Sequence, residues 1–593
     1  MKLTDYISNY LSLLNIKYAF VLQGGAALHL IDSMEKHPDI TPIAMQHEQA
    51  CAMAADGFAK ANNMLGVTVA TSGPGATNLL TGIACSYFDS VPTLHLTGNV
   101  ASFRQSDSLN VRQYGFQETD IVSMAKPITK YAVRLKKPED ILHELPKALS
   151  IAMEPRKGPV LIDIPDNFQR ECVGQVIFAP RKKEIVEQNR ELILTTDFIQ
   201  FEKFKNALEK AKRPLLILGA GLLSRNVQAQ ANILSQALSI PYLTTWPLKG
   251  MANHDNEYNL GSFGTHSYRG NNIVLQNSDF ILSIGSRLDS RATAKLDTFA
   301  REAEIAMVDI DISELEKFSK LNKEIKYKFP IDCKVFIETL LKEFVHKPVQ
   351  KDYKQWHSYI ASTRARFNII PDYKLPLINP YGAAQTISEF LKKDAVVVVD
   401  TGTSLPITLV YGKEKKGQRY LSSYNNTPMG YALPCAIGTA LASQNQVTCI
   451  SGDGGLQMNI QELATLRRLN LPILIFVYNN AGYCMIKQTQ DDWLESNYFA
   501  ASLEYGLPKL NFKKIASAYG IDAHRATTNE ALDDILSSIN PAVPTLIELM
   551  ISPEYRYEPI IKYGNPLENM NPLLNPETIE KNMLINILRS RAI

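Results

Sequence analysis

Short apolar, β-branched runs alternate with helix-spaced segments along most of the chain. Between residue 16 and about residue 165 the runs KYAFVL, TPIAM, GVTVATS, PTLHLTG and VLIDIP are separated by helical stretches such as EQACAMAADGFAKAN and NLLTGIACSYF. Strands joined through helices rather than tight turns predict a parallel sheet covered on both faces. A second unit opens at PLLILGAG and continues through FILSIGSRLD and IAMVDID to an amphipathic segment from Val335 to Phe344. A third begins near Tyr381 and runs through AVVVVDTG, QVTCISGDGG and PILIFVYNN to LIELMIS. The expected fold is α/β, with three doubly wound parallel-sheet domains at 1–175, 190–345 and 370–552. RKKEIVEQNR (181–190) and KPVQKDYKQW read as linkers, and 553–593 as a tail over the folded body. Leu3, Ile7, Leu11 and Leu14 predict an amphipathic first helix, not a signal-peptide block.

Composition narrows the function classes. Across 593 residues, 62 Lys and Arg nearly cancel 60 Asp and Glu, and no basic run with interleaved aromatics marks a nucleic-acid surface. No stretch reaches the roughly 20 apolar residues of a membrane span. The seven cysteines are odd in number and lack metal-ligand spacing, so they read as reduced core residues. A cytoplasmic protein acting on small molecules is expected, with neither nucleic acid nor membrane as partner.

The sharpest chemical signal is SGDGGLQMNIQELATLRRLNLPILIFVYNN, from Ser451 to Asn480. One β-rich run stops at a Gly-Asp-Gly turn and the next at Asn479-Asn480, so both ends can meet at the carboxyl edge of one sheet. A carboxylate, an amide oxygen and a backbone carbonyl suit magnesium, which also takes phosphate oxygens. Gly452, Gly454 and Gly455 permit close backbone approach to a diphosphate. Alone, Gly-Asp is ordinary turn chemistry; the Asn pair at this distance is what sharpens it.

Gly-Asp-Gly followed by Asn-Asn and AGYCMIKQTQ resembles the thiamine-diphosphate motif of acetolactate synthases. QHEQACAMAADGFAKA and TSGPGATN resemble the same family's first domain, and the match runs through all three domains. The resemblance implies a pyrimidine-binding domain, a central FAD-type domain and a diphosphate-binding domain. It implies Asp453, Asn480 and the Gly482 carbonyl as magnesium ligands. Glu48 would favour the imino tautomer of the aminopyrimidine, whose amine then takes the thiazolium C2 proton; a Glu at a helix start serves equally as a dipole partner. Gly25, Thr71, Gly75, Asn78, Thr403, Ser404 and Met485 fall at cofactor-facing positions, and Met429 at the position that wedges the cofactor's rings apart. The Thr403 and Ser404 hydroxyls serve equally as helix caps.

For FAD, bound without redox use, the resemblance implies Gly219, Gly221, Arg156, His266, Arg287, Asp289, Arg291, Glu314 and Asp332. Arginine forks suit the flavin diphosphate, although structural salt bridges account for some of them equally. The family's Gly-Asp near that domain's end is here Ile331-Asp332. Phe116, Gln117, Glu118 and Lys130 resemble residues that face substrate from a partner subunit, so a homodimer or homotetramer with inter-subunit sites is implied.

The implied reaction is decarboxylation of a 2-oxo acid, pyruvate first, and transfer of the two-carbon unit to a keto acceptor. Thr489 stands where biosynthetic members place a tryptophan, Gln23 replaces a proline, and Cys484 a glycine. These departures, with His29 and the tail NPLENMNPLLNPE, resemble the subgroup associated with surface-polysaccharide biosynthesis, some of whose members use a nucleotide-linked keto-deoxysugar. True acetolactate synthesis, pyruvate oxidation and simple decarboxylation stay open. A retired binding protein is disfavoured, because Glu48 and the ligand set are all present.

Overall fold

The computed structural model describes residues 1–174, 198–345, 352–374, 376–443 and 445–588, so the linker expected at 181–190 lies outside the described residues. Three six-stranded sheets result. Every pairing within them is parallel. The first orders its strands Thr41–Ala44, Tyr18–Val21, Gly66–Ala70, Thr93–Asn99, Val160–Pro165, Tyr131–Arg134. The third orders Arg419–Leu421, Val396–Val399, Val447–Gly452, Ile473–Asn479, Thr545–Met550, Asp522–Ala526, which is the same connectivity. The central sheet orders Tyr327–Pro330, Glu304–Asp309, Phe280–Ile284, Pro214–Leu218, Tyr242–Thr244, Asn259–Ser262.

In such sheets the crevice opens where consecutive strands leave in opposite directions, at the carboxyl edge. In the first sheet this switch lies between Tyr18–Val21 and Gly66–Ala70, so the turns at Gly25 and Thr71 share it. In the third it lies between Val396–Val399 and Val447–Gly452, bringing Thr403 beside Asp453. In the central sheet it joins the turns after Leu218 and Ile284.

The first and third units share one apolar core, built around the helix Glu48–Asn62. Its small residues are buried on nearly every side, from Ala50 through Ala59. Gly57 faces the backbone of Cys435, and Gly438 faces that of Ala54, at distances that exclude any Cβ. Asp56, Lys60, Asp89 and Tyr431 form a buried polar clamp across the same seam, with Lys60 Nζ 2.8 Å from both carboxylates.

Three expectations shift. The first helix ends at Leu13, leaving Leu14 43% exposed. KPVQKDYKQW is no free linker from Asp352 onward: Trp356 is buried in the central core, its indole N–H on the Pro214 carbonyl at 3.0 Å, within the helix Lys354–Phe367. The segment after Pro553 is structural, because Tyr555 and Tyr557 are buried in the third unit's core and Leu567 and Met570 in the central one. No described helix is long and apolar enough to cross a membrane.

Candidate active site

Glu48 opens its helix at the carboxyl edge of the first sheet, directly after the strand Thr41–Ala44 and its turn. It is 7% exposed, and Asn78 donates to its Oε2 at 3.0 Å. A Cβ on Gly75 would stand 2.7 Å from Thr71 Cγ2 and 3.2 Å from Glu48 Oε1. Thr71 Oγ1 accepts the Ala26 N–H at 3.1 Å, which ties the Gly24-Gly25 turn to the same group. Glu48, Thr71, Gly75, Asn78 and Gly25 thus form one cluster, with a buried carboxylate lined by glycine backbone.

A second cluster sits at the edge of the third sheet. Asp453 Oδ1 accepts the Gly454 N–H at 2.7 Å and Oδ2 the Gly482 N–H at 3.1 Å. Burial pushes the Asp453 carboxyl up to about 6 against those bonds. The Asn480 amide oxygen is buried beside this turn with no hydrogen-bond partner. A buried carboxylate and an orphaned amide oxygen fit a hard cation, which would satisfy both. Among the described residues no group of three or more His, Cys, Asp or Glu competes as a metal site. A Cβ on Gly452 would meet nothing within 4 Å, leaving open space at the turn. The half-buried Met429 reaches over Gly454, its Cε 2.9 Å from where a Cβ would stand. Thr403 and Ser404 border the turn, the Ser404 hydroxyl turned back to the Asp400 carbonyl at 3.4 Å. Met485, half-buried, is on the next helix, Cys484–Trp493.

Asp400 was missed by sequence reasoning. Fully buried, it accepts from Ser451 Oγ at 3.0 Å and from the Gly430 and Ala432 N–H groups, so it ties the Met429 loop to the Gly-Asp-Gly strand. Burial raises its carboxyl to about 6. Its signal was an acid ending an otherwise apolar run, AVVVVD.

The central switch point opens into a cavity of about 660 Å³, lined by all three units. Arg156, Gly221, His266, Arg287, Asp289, Arg291 and Asp332 all line it. Gly219 abuts Gly285 too closely for any side chain. His266 Nε2 and Trp246 Nε1 are buried without partners. Burial first, then Arg291, pushes the His266 imidazole down to about 3, so it is neutral. Arg156 is engaged by Asp311 and, at 3.2 Å, by Glu314, so Glu314 touches Arg156 and does not line the cavity. Asp332 pairs with Arg225 at 2.7 Å. Asp309, at the end of its strand on the cavity wall, is a further residue the sequence reading did not single out.

The substrate-facing set divides. Phe116 is 86% exposed and Gln117 holds φ at 62°, on a loop lying against Gly73. Glu118 is corrected to a loop anchor: it is buried and accepts from Ser106 N and Oγ, Tyr114 N and Gly115 N. Burial works to raise its carboxyl, but these bonds hold it below the ordinary value. Lys130 precedes the strand Tyr131–Arg134, at the edge of the sheet opposite Glu48, and donates to the Ile151 and Glu154 carbonyls. Within one chain it is not brought to the Glu48 group.

Three family models match in order: the N-terminal thiamine pyrophosphate binding domain at 1–124, the central domain at 201–340 and the C-terminal thiamine pyrophosphate binding domain at 400–549. The acetolactate synthase large subunit of Cyanidium caldarium is 32% identical over 569 residues, covering 94% of each chain. The chain belongs to the thiamine pyrophosphate enzymes of the acetolactate synthase type. The isozyme 3 large subunit of Escherichia coli is 32% identical over 85% of this chain and 86% of its own. The Lactococcus lactis large subunit is 31% identical over 93% and 92%. In this thiamine pyrophosphate enzyme the N-terminal match holds the Glu48 cluster and the C-terminal match the Asp453 cluster.

Proposed function

We propose that this enzyme decarboxylates a 2-oxo acid, pyruvate first, and joins the two-carbon unit to a nucleotide-linked keto-deoxysugar. The observation carrying the acceptor class is the open face of the helix Cys484–Trp493. Thr489 is exposed there, between Ile486 at 50% and Trp493 at 68%, so a small hydroxyl stands where a bulky ring would narrow the site. A second reading, pyruvate as its own acceptor, is favoured by relatives named acetolactate synthase.

Bound thiamine diphosphate supplies the thiazolium that stores the electron pair released on decarboxylation. Glu48, oriented by Asn78, would share a proton with the aminopyrimidine ring nitrogen, and its burial strengthens that bond. Asp453, Asn480 Oδ1 and the Gly482 carbonyl would hold magnesium, while the glycines at 452, 454 and 455 leave room for diphosphate oxygens. Met429 would set the angle between the cofactor's rings. FAD would occupy the central cavity as a structural, non-redox group, with His266 Nε2 and the Arg287 and Arg291 forks facing it. Lys130 at the far edge of the first sheet from Glu48, with the exposed Phe116, supports a site completed across two copies of the chain.

Incubating the enzyme with pyruvate plus pyruvate, 2-oxobutyrate or a nucleotide 4-keto-deoxysugar, followed by mass analysis, tests the acceptor. A two-carbon gain on the sugar is expected; rapid acetolactate formation with an unchanged sugar defeats it. Flavin bleaching during turnover would turn the reading to an oxidase.

A further inference from the structure

The turn before Glu48 is held in part by a residue of the opposite unit. Glu48 follows the turn Met45-Gln46-His47, whose own unit supplies Met45 N–H to the Val21 carbonyl at 3.0 Å, Cys51 N–H to the His47 carbonyl at 3.0 Å and Gln49 N–H to His47 Nδ1 at 3.1 Å. The rest come from the helix Glu462–Leu469 of the third unit. Glu462 Oε1 accepts the Gln46 N–H at 3.0 Å. Thr465 Oγ1 lies 3.5 Å from the Gln46 amide, and Arg468 donates to the Ala44 carbonyl at 2.9 Å. Glu462 is fully buried, and its second oxygen takes the Thr465 hydroxyl at 2.7 Å. Both Glu462 and Glu48 act on the buried Cys51 thiol, after burial itself, in holding it protonated. The helix Glu462–Leu469 follows the Asp453–Met458 helix with only Asn459, Ile460 and Gln461 between them.

We propose that Glu462 is a positioning residue for Glu48, clamping the turn before it so that the carboxylate's orientation is set by the unit carrying Asp453 and Asn480. The proposal rests on the reading of Glu48 as the activating carboxylate. The Gln46 N–H bond to Glu462, with the Arg468 bond to the Ala44 carbonyl, pins this partly exposed turn to the third unit; without the buried carboxylate the turn loses that anchor and shifts toward water. A displacement of about 1 Å at an activating group costs on the order of a hundredfold in rate, whereas cofactor affinity depends on diphosphate and metal contacts elsewhere.

The test uses the holoenzyme with thiamine diphosphate and magnesium, and compares Glu462→Ala, Glu462→Gln and Glu48→Gln with the parent. Hydrogen–deuterium exchange at C2 of the bound cofactor is read by quenched-flow NMR, with cofactor affinity, KM and kcat for pyruvate, and melting temperature alongside. In Glu462→Ala, exchange and kcat should fall together by at least about tenfold, with KM and cofactor affinity unchanged. Glu462→Gln, which keeps one acceptor oxygen, should recover part of the loss. Wild-type exchange in folded Glu462→Ala overturns the proposal. Should that variant not fold, Glu462→Gln decides: a fall of about threefold or more supports the clamp, and a smaller one overturns it. Slow exchange in Glu48→Gln with fast exchange in the Glu462 variants defeats this proposal alone; fast exchange in Glu48→Gln defeats the reading beneath it.

Discussion

Replacing Gly438 by alanine tests how the helix of Glu48 is seated. Gly438 lies within the helix Ala432–Ala442, where a Cβ would stand 1.9 Å from the Ala54 carbonyl oxygen and 2.7 Å from its carbon. Ordinary contact is about 3.5 Å, so the helices must part by roughly 1.5 Å, and a gap of even 1 Å forfeits about a quarter to a half of each dispersion well along the seam. Overpacking costs about 1–3 kcal/mol, and alanine's better helix propensity returns about 1 kcal/mol. The obstacle is helix backbone and cannot swing aside, which places the net loss near 2 kcal/mol. For a cooperative unit of 150–250 residues that is about 4–8 °C in the first thermal transition, read by scanning calorimetry with cofactor present. Pyruvate turnover should fall as well, because the displaced helix begins at Glu48. Gly452→Ala is the contrast, since its Cβ meets nothing within 4 Å: melting of the cofactor-free protein stays put while cofactor affinity drops. A Gly438→Ala protein that melts at or above the parent temperature with full turnover would refute the rigid-seam reasoning.

Acid should weaken the cofactor-free protein through His95 and His266, whose imidazoles burial pushes down to about 3. The unfolded chain binds those protons near 6.5, so each is silent above that pH and costs about 2 kcal/mol at pH 5; His95→Gln should flatten the decline in urea midpoint between pH 6.5 and 5. Phe116→Ala, at a side chain 86% exposed, should leave melting within about 0.5 kcal/mol of the parent yet lower turnover, checked by calorimetry and steady-state kinetics. Chelating divalent cations should abolish thiamine diphosphate binding in calorimetric titration, and Asn480→Ala should mimic it, since its amide oxygen is buried without a partner.

Local sequence carried the sheet edges and therefore much of the candidate site. Gly-Asp-Gly and Asn-Asn each end a β-rich run, and strand ends at the carboxyl edge of a parallel sheet are where crevices open. The first helix was legible for the same reason, its period of 3.6 matching Leu3, Ile7 and Leu11, all fully buried. Glu118 was misplaced because a buried loop anchor and a substrate-facing acid look alike in one dimension; only its four donors distinguish them.

What the sequence determined alone was periodicity, turn chemistry and the order of units, since these depend on neighbours within a few residues. What only the tertiary structure decided was which distant segments meet. The Glu462 grip on the turn before Glu48 and the seating of Gly438 on Ala54 join positions hundreds of residues apart. The cavity walled by all three units is of the same kind. Such contacts arise from burying whole helix faces between sheets, a cooperative outcome of packing that no short window of residues encodes.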